Sequence, residues 1–507
     1  MKNTVNNFNS SKQIKVGAVL SYLAIAINII SGLIYTPWMV GKIGQSQYGL
    51  YTLANSLITL FLVDFGLSSA TARYLSKYNA EGDKEGAEKF LGAIYKLYIL
   101  VDTVILVVLT VIFFLIDKIY VNLTPTELEQ FKVVYLLSAV FSVVNFPFVT
   151  FNGILTAYEK FIPLKLIDII YRLFSVGFTV LALILGGGLY MLVTVHVLVG
   201  LFVLLIKFIA IKITTPAKVN FKATDKSIYK GIFGFSIWVT VSSLAQRLIF
   251  NITPSILGIV ASTAAIAIFG VIVTIEGYTY TITTAINGMF MPKISRIVAK
   301  GDSREDLSKL LLSVGKFQYA LNGLIITGFA AIGSSFINLW MGTDYHLAFY
   351  GILLVIVPGL FFNSLQIANT TLVVENKVKL QAIVSVITGI VNIALSFPLS
   401  KKFGVLGACI SICTAYMLRA IIMNIISYKV LKLDIPALIK KCYLRMSIPI
   451  VLSIGAGIGL NILLTKESWL FLIIKAAIVV FIYMITTAFI GLEKKDRKQI
   501  IKLIIRK

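Results

Sequence analysis

Apolar runs of about 20 residues follow one another from end to end of this 507-residue chain, and about 20 helical residues cross about 30 Å of hydrocarbon. Such a run can lie in lipid only when its own backbone satisfies its N–H and C=O groups, as a helix does. The chain is 58% hydrophobic, only 13% charged, and has a mean hydropathy of +0.92. An ordinary globular domain is about a quarter charged, and no soluble fold hides this much apolar surface. The fold class is therefore all-α: a polytopic membrane protein.

Fourteen spans are expected, at about 17–40, 48–72, 92–116, 132–156, 163–186, 188–211, 233–258, 264–290, 317–340, 347–372, 379–399, 404–428, 445–464 and 468–491. Most of the 46 Lys and Arg fall in the segments that face one side if the N-terminus is inside. The positive-inside rule then puts both termini in the cytoplasm and the chain in a bacterial inner membrane; heavy use of Lys, Ile and Asn suggests an AT-rich bacterial genome. The net charge of +24 is mostly topology. Nucleic-acid binding, the other usual source of such a charge, lacks a soluble domain to carry it. The polar stretch after Met1 has no cleavage pattern following the first apolar run, so no removable signal peptide is expected.

The chain repeats itself. Ser76-Lys77-Tyr78-Asn79-Ala80-Glu81-Gly82-Asp83 returns as Ser295-Arg296-Ile297-Val298-Ala299-Lys300-Gly301-Asp302, each copy between two apolar runs, and Pro37 returns as Pro254. The organisation expected is a tail at 1–16, an N-lobe of six spans at 17–211, a basic cytoplasmic linker at 212–232, a C-lobe of six spans at 233–432, two appended spans at 433–491, and a basic amphipathic tail at 492–507. Six helices per lobe make the repeat parallel, a plan known among secondary transporters. The tail alternates bases with Ile500, Ile501, Leu503, Ile504 and Ile505, a pattern drawn to anionic lipid at the cytoplasmic surface.

No P-loop pattern occurs, and no His/Cys cluster points to a metal or other cofactor. Cys409 and Cys413 lie one turn apart in a span and read as small buried residues. Loops are short, the longest outer one running from Asp117 to Phe131, which leaves little room for an extracytoplasmic catalytic domain. A charge near the bilayer centre costs about 2.5–3.5 kcal/mol on the insertion scale. The charges there are Asp64, Asp102, Arg247, Glu276 and Arg419, with Asp168 and Arg172 nearer the cytoplasmic ends. Arg247 and Glu276 are placed to pair. Asp168 and Arg172 have the spacing of a same-face salt bridge. Arg419 has no acid within a turn, and its planar fork suits phosphate. Asn145, Asn152, Gln246, Asn251 and Asn287 either line a cavity or bond helix to helix. Pro37 and Pro254 are expected to bend spans one and seven as hinges.

These residues carry a family likeness. Leu62-Val63-Asp64-Phe65-Gly66-Leu67-Ser68-Ser69-Ala70-Thr71-Ala72-Arg73-Tyr74 resembles the second-helix signature of bacterial polysaccharide flippases of the Wzx type. Val40 to Tyr51 resembles their first outer loop. Met291 to Ser295, Lys300-Gly301-Asp302 and Ile337 to Gly342 are similar to their C-lobe pattern. The likeness covers essentially the whole chain and marks the multidrug/oligosaccharidyl-lipid/polysaccharide superfamily better than any one cargo. It implies two six-helix lobes opening alternately inward and outward, and a polyprenyl-pyrophosphate-linked oligosaccharide moved from inner to outer leaflet. Glycosyltransferases or a polymerase of the same pathway are the implied partners. The intramembrane charges and polar groups themselves give Arg419, Arg247 and Arg172 as the candidate substrate-binding residues, with Asp64, Asp102, Glu276, Asn145, Asn251 and Asn287 as cavity or coupling candidates. Three alternatives stand beside the polysaccharide flippase: a drug antiporter, a peptidoglycan lipid-precursor flippase, and a non-transporting membrane enzyme of envelope assembly.

Single cysteines introduced at Lys222, Lys300 and Lys432 should be labelled only from the cytoplasm, and those at Asn122, Asp344 and Lys466 only from outside. One reversed site among the first four would mean a miscounted span.

Overall fold

A computed structural model describes residues 2–62, 66–221, 238, 240–285, 290–299 and 304–493. Asp64, Asn287, Lys222, Lys300, Gly301, Asp302, nearly all of the expected 212–232 linker beyond Phe221, and the tail from residue 494 lie outside the described residues. Everything regular among them is helical, and thirteen helical stretches are long and apolar enough to cross a membrane. The expected span 48–72 is the exception. Helix α2 (Gln45–Phe61) stops, and α3 (Leu67–Glu81) starts again from Gly66, held at φ 67° in the left-handed region, where a side chain strains the backbone.

Two compact units are present: residues 1–247 with 254–267, and residues 248–253 with 268–507. In the first, α1 (Lys2–Ile43) packs on α7 (Phe161–Ile184). In the same unit α2 packs on α5 (Pro125–Asn145), and α3 on α6 (Thr150–Ala157). α4 (Lys84–Ile119) and α8 (Leu189–Thr214) complete the set.

The second unit repeats this order with the same interruptions. A long helix follows a Gly-Asp pair in both, α4 in one and Arg304–Met341 in the other. The next span is broken at a proline in both. Pro147 sits in a 3-10 turn between α5 and α6, and Pro358 sits between helices Leu347–Ile356 and Gly359–Ser364. After that span each unit makes the same turn. Glu159 at φ 55° is followed by Lys160 N donating to Leu155 O (2.8 Å). Asn376 at φ 56° is followed by Lys377 N donating to Leu372 O (2.7 Å). A left-handed residue in such a turn satisfies the last carbonyls of the helix before it.

Breaks inside a membrane need partners for the carbonyls they free. The span at Thr240–Val260 is interrupted at Asn251 and Ile252, just before Pro254, the second residue of helix Thr253–Val260. Ile249 O accepts from Thr253 Oγ1 (2.7 Å), and Asn392 Nδ2 donates to Leu248 O (3.2 Å) and Ile249 O (3.3 Å). The first unit has a counterpart. Arg172 on α7 donates through Nε to Ser31 Oγ (2.9 Å) and through a terminal nitrogen to Asn28 O (3.3 Å), both on α1. The displacement that carries Pro37 onto Pro254 carries Ser31 onto Leu248, and Ser175, one turn beyond Arg172, onto Asn392. A polar side chain thus grips the first span of each six-span repeat from the fifth.

Helices Val378–Phe403 and Val405–Lys429 turn back on each other at Gly404, held at φ 58°, and Gly407 lies so close to the Leu399 carbonyl that a Cβ has no room.

Between long helix and turn in the second unit, Arg304 reaches Glu375 Oε1 at 2.6 Å and Lys377 reaches Oε2 at 2.7 Å. Burial works to raise the Glu375 pKa, but the hydrogen bonds from Lys377 and Arg304 outweigh it and hold the carboxyl below its ordinary range. A depressed carboxylate adds stability that is complete above the unfolded-state value, about 4.3, and is lost as pH falls through the lower folded-state value. Thermal unfolding in detergent should therefore show Glu375→Gln less stable than the parent at neutral pH, with the gap closing on acidification. A gap that persists into strong acid would contradict this reading.

Candidate functional site

Arg419 lies in the helix Val405–Lys429, within a span. Its guanidinium carbon stands 4.5 Å from the Phe362 ring centre and 5.9 Å from that of Tyr416. Those rings meet edge to face at 6.2 Å, and Phe250 stands 5.8 Å from Tyr416. Stacking against aromatic faces attracts the cation and holds its plane.

The residue after Phe362 belongs to a buried amide network. Asn363 Nδ2 donates to Asn322 Oδ1 (3.0 Å) and Thr283 Oγ1 (3.4 Å), while Gln318 Nε2 donates to Thr283 O (2.9 Å) and Asn322 Nδ2 to Gln318 O (2.8 Å). Glu276, in the helix Thr263–Thr284, has no hydrogen-bond or ion-pair partner among the described residues. Asn251 stands at the break before Pro254.

In the first unit the expected Asp168–Arg172 bridge does not form. Arg172 is drawn to α1 as described above. Asp168 instead faces Lys165 at 3.3 Å and Lys207 at 3.9 Å, and Lys207 also donates to Asn152 Oδ1 (3.0 Å). Spacing along one helix brought the pair within reach, but Arg172 finds its partners on α1, and Asp168 finds Lys165 one turn back on α7 and Lys207 on α8. Farther along α7, Ser175 Oγ lies 3.4 Å from Nε2 of His196 on α8, which also stands 3.5 Å from the Tyr51 hydroxyl on α2. Asp102 on α4 buries its Oδ1 with no hydrogen-bond partner among the described residues. Arg247 donates to the Thr59 carbonyl at the end of α2. Asn145 ends α5 where the turn containing Pro147 begins, and Pro37 lies inside the continuous α1.

Three buried cations went unrecognised in the sequence, two of them, Lys207 and Lys316, because they lie near expected span ends, where Lys normally reaches water. Lys207 has only 16% of its side chain exposed and Lys316 only 7%. Lys475 is 4% exposed and donates to Asn461 Oδ1 (3.0 Å), whose own amide donates to Ala331 O (2.6 Å). The one available signal was position: Lys475 falls a full two turns inside its apolar run.

In the second unit, a guanidinium resting on aromatic rings and a set of buried amides are groups of the kind that bind oxyanions; in the first unit, Asp102 is a carboxyl of the kind that takes up a proton or a cation.

The sequence profile of the family described as "Polysaccharide biosynthesis protein" matches residues 15–298. A Shigella flexneri protein provisionally named an O-antigen transporter is 24% identical over 199 residues, 39% of this chain, and the match spans only 46% of that relative's length. A Bacillus subtilis (strain 168) protein, the uncharacterized membrane protein EpsK, is 21% identical over 94% of this chain and 95% of its own. Among solved structures, a lipid II flippase MurJ superposes with a TM-score of 0.73 at 13% identity, covering 93% of this chain and 98% of that one. An inward-facing MATE family transporter of the MOP superfamily gives 0.63 at 13%, covering 78% and 96%. At these identities the two structures establish the fold.

Asn461→Leu strips the Lys475 ammonium of its amide partner and should cost about 1–3 kcal/mol or more. Lys475→Met removes the charge along with the need for a partner and should cost clearly less. Unfolding of both variants in mixed detergent tests this, and the reverse order of stabilities would refute it.

Proposed function

The chain belongs to the polysaccharide biosynthesis protein family, and from that membership we propose that it carries a polyprenyl-pyrophosphate-linked oligosaccharide across the bacterial inner membrane. Transport runs from the inner to the outer leaflet, by alternating access, in surface-polysaccharide assembly, with both termini cytoplasmic and no chemical step on the cargo. Arg419 is the observation that carries the reading. A pyrophosphate brings negative charge into a region of low dielectric, where unit charges 4 Å apart attract by about 4 kcal/mol at an effective dielectric of 20, against about 1 kcal/mol in water. A guanidinium already stacked on Phe362 and Tyr416 meets that charge without first losing rotamer freedom. Its two parallel N–H groups match a phosphate edge.

Arg247 and Arg172 are secondary phosphate contacts, since each already donates to a backbone carbonyl. Asn145, Asn251 and Asn287 are proposed to meet the sugar, and Asp64 and Glu276 to serve coupling. Pro37 and Pro254 are the proposed hinges. Glycosyltransferases or a polymerase of the same pathway would supply and consume the cargo. A peptidoglycan lipid precursor fits the same chemistry, and the glycan analysis below separates the two. A small-molecule antiporter is the second reading, and the partnerless Oδ1 of Asp102 favours it, because a carboxyl held in that way can exchange a proton for a cation. Drug efflux lost in Asp102→Asn, with glycan export intact, would select the antiporter.

In a deletion strain complemented with variants, Arg419→Ala should slow flipping at least about tenfold, since losing about 1.4 kcal/mol or more of anion stabilisation has that effect. Arg419→Lys should be intermediate, keeping charge and losing the fork. The measurement is lipid-linked oligosaccharide on each leaflet at matched expression. Near-normal export in Arg419→Ala would sink the assignment.

A further inference from the structure

Three cations from two helices converge on one carboxylate at the end of the described chain. Glu493 Oε2 lies 3.8 Å from Lys316 Nζ, and its Oε1 lies 3.8 Å from Lys441 Nζ and 3.9 Å from a terminal nitrogen of Arg445. Arg445 is fixed there by two further bonds, from Nε to Ile490 O (2.9 Å) and from its other terminal nitrogen to Leu492 O (3.3 Å). Lys316 comes from the long helix Arg304–Met341, and Arg445 opens the helix Arg445–Leu463. Glu493 follows the stretch that closes the span Trp469–Gly491.

The sequence places a membrane boundary at 317, at 445 and at 491, so the cluster stands at one level, that of the lipid headgroups, on the Lys- and Arg-rich face. None of the three separations is as short as a hydrogen bond to a carboxylate, which is about 2.7–2.9 Å. Lys441 and Arg445 alone outnumber Glu493, with the Lys441 and Arg445 side chains 46% and 38% exposed. The residues that follow, Lys494-Lys495-Asp496-Arg497-Lys498, add bases faster than acids.

We propose that Lys316, Lys441 and Arg445 form a binding site for the phosphate of an anionic ligand, with Glu493 as the built-in anion that occupies it when the phosphate is absent. The arrangement is independent of the cargo. Phosphate oxygens fit where the carboxylate now stands at long range: two ammonium groups and a guanidinium converge from two helices, and the unesterified oxygens of a phosphate, each able to accept more than one hydrogen bond, reach all of them at once. A bound phosphate would tie the last two spans to the long helix. The chemistry is shared by a phospholipid headgroup and by a soluble phosphate, and the level of the cluster favours the lipid.

The test uses the full chain in detergent, its thermal midpoint followed on titration with phosphatidylglycerol, phosphatidylcholine or inorganic phosphate. Phosphatidylglycerol should stabilise where phosphatidylcholine does not. Lys441→Gln, at an exposed position that spares the fold, should weaken that response about fivefold, the worth of one cation near an anionic surface. Glu493→Gln should strengthen it, because the internal competitor is gone. Inorganic phosphate reproducing the shift would assign the site to a soluble anion, and its failure would assign it to the lipid. Equal responses to the two lipids with none to inorganic phosphate, an unchanged response in Lys441→Gln, or a weaker one in Glu493→Gln would each overturn the proposal.

Discussion

A backbone carbonyl released inside hydrocarbon has no water to turn to, and this constraint organises both halves of the protein. Helices supply their own partners, so the chain is helix after helix. Wherever the sequence breaks a helix, a side chain from elsewhere has to answer. Asn392 and Thr253 answer at the interruption before Pro254, and Arg172 grips α1 in the corresponding place of the first unit. An unanswered carbonyl at the interruption before Pro254 would cost several kcal/mol. The breaks therefore survive only in company with their partners, and they recur as complete sets: a proline-broken fourth span, a left-handed turn, and a polar grip of fifth span on first.

The same economy of partners sorts the charges. Lys475 is buried against a neutral amide, Asp168 is shared between two lysines, and Arg419 rests on aromatic rings. Each of the three environments keeps a charge in the membrane by a different means, and each leaves different chemistry over. An amide-bound ammonium and a doubly paired carboxylate are largely spent. A guanidinium resting on rings keeps its charge unneutralised by them, which is why the functional reading turns on Arg419 rather than on Arg172, whose hydrogen bonds serve α1. Asp102, with one oxygen buried and unbonded among the described residues, is the opposite case: a group kept at a cost of stability. Such a cost is more often tolerated where a protein does its work.

The class of the protein was legible in the chain without any coordinates. Hydropathy and run length declare a helical membrane protein because crossing a bilayer needs a set number of apolar residues, and a count along the sequence measures that directly. Residue types recur along the chain, Gly82-Asp83 with Gly301-Asp302 and Pro37 with Pro254, although Pro37 lies inside the continuous α1 while Pro254 follows a break. Pro147 and Pro358 carried the same information, but they differ in their neighbours and so escaped notice.

What only the tertiary structure decided is who partners whom. Asp168 and Arg172 have ideal spacing on one helix, yet Arg172 turns to α1 and Asp168 is shared between Lys165 and Lys207 of α8, because facing side chains across a packed interface are fixed by helix rotation and depth, which no spacing rule contains. The broken second span, the burial of Lys207 and Lys475, and the convergence of Lys316, Lys441 and Arg445 on Glu493 belong to the same category. Hydropathy is a sum along the chain and sees how many apolar residues there are. Packing is a choice among neighbours distant in sequence, and in a membrane, where every helix is apolar all round, that choice is made by the few polar groups that must find one another.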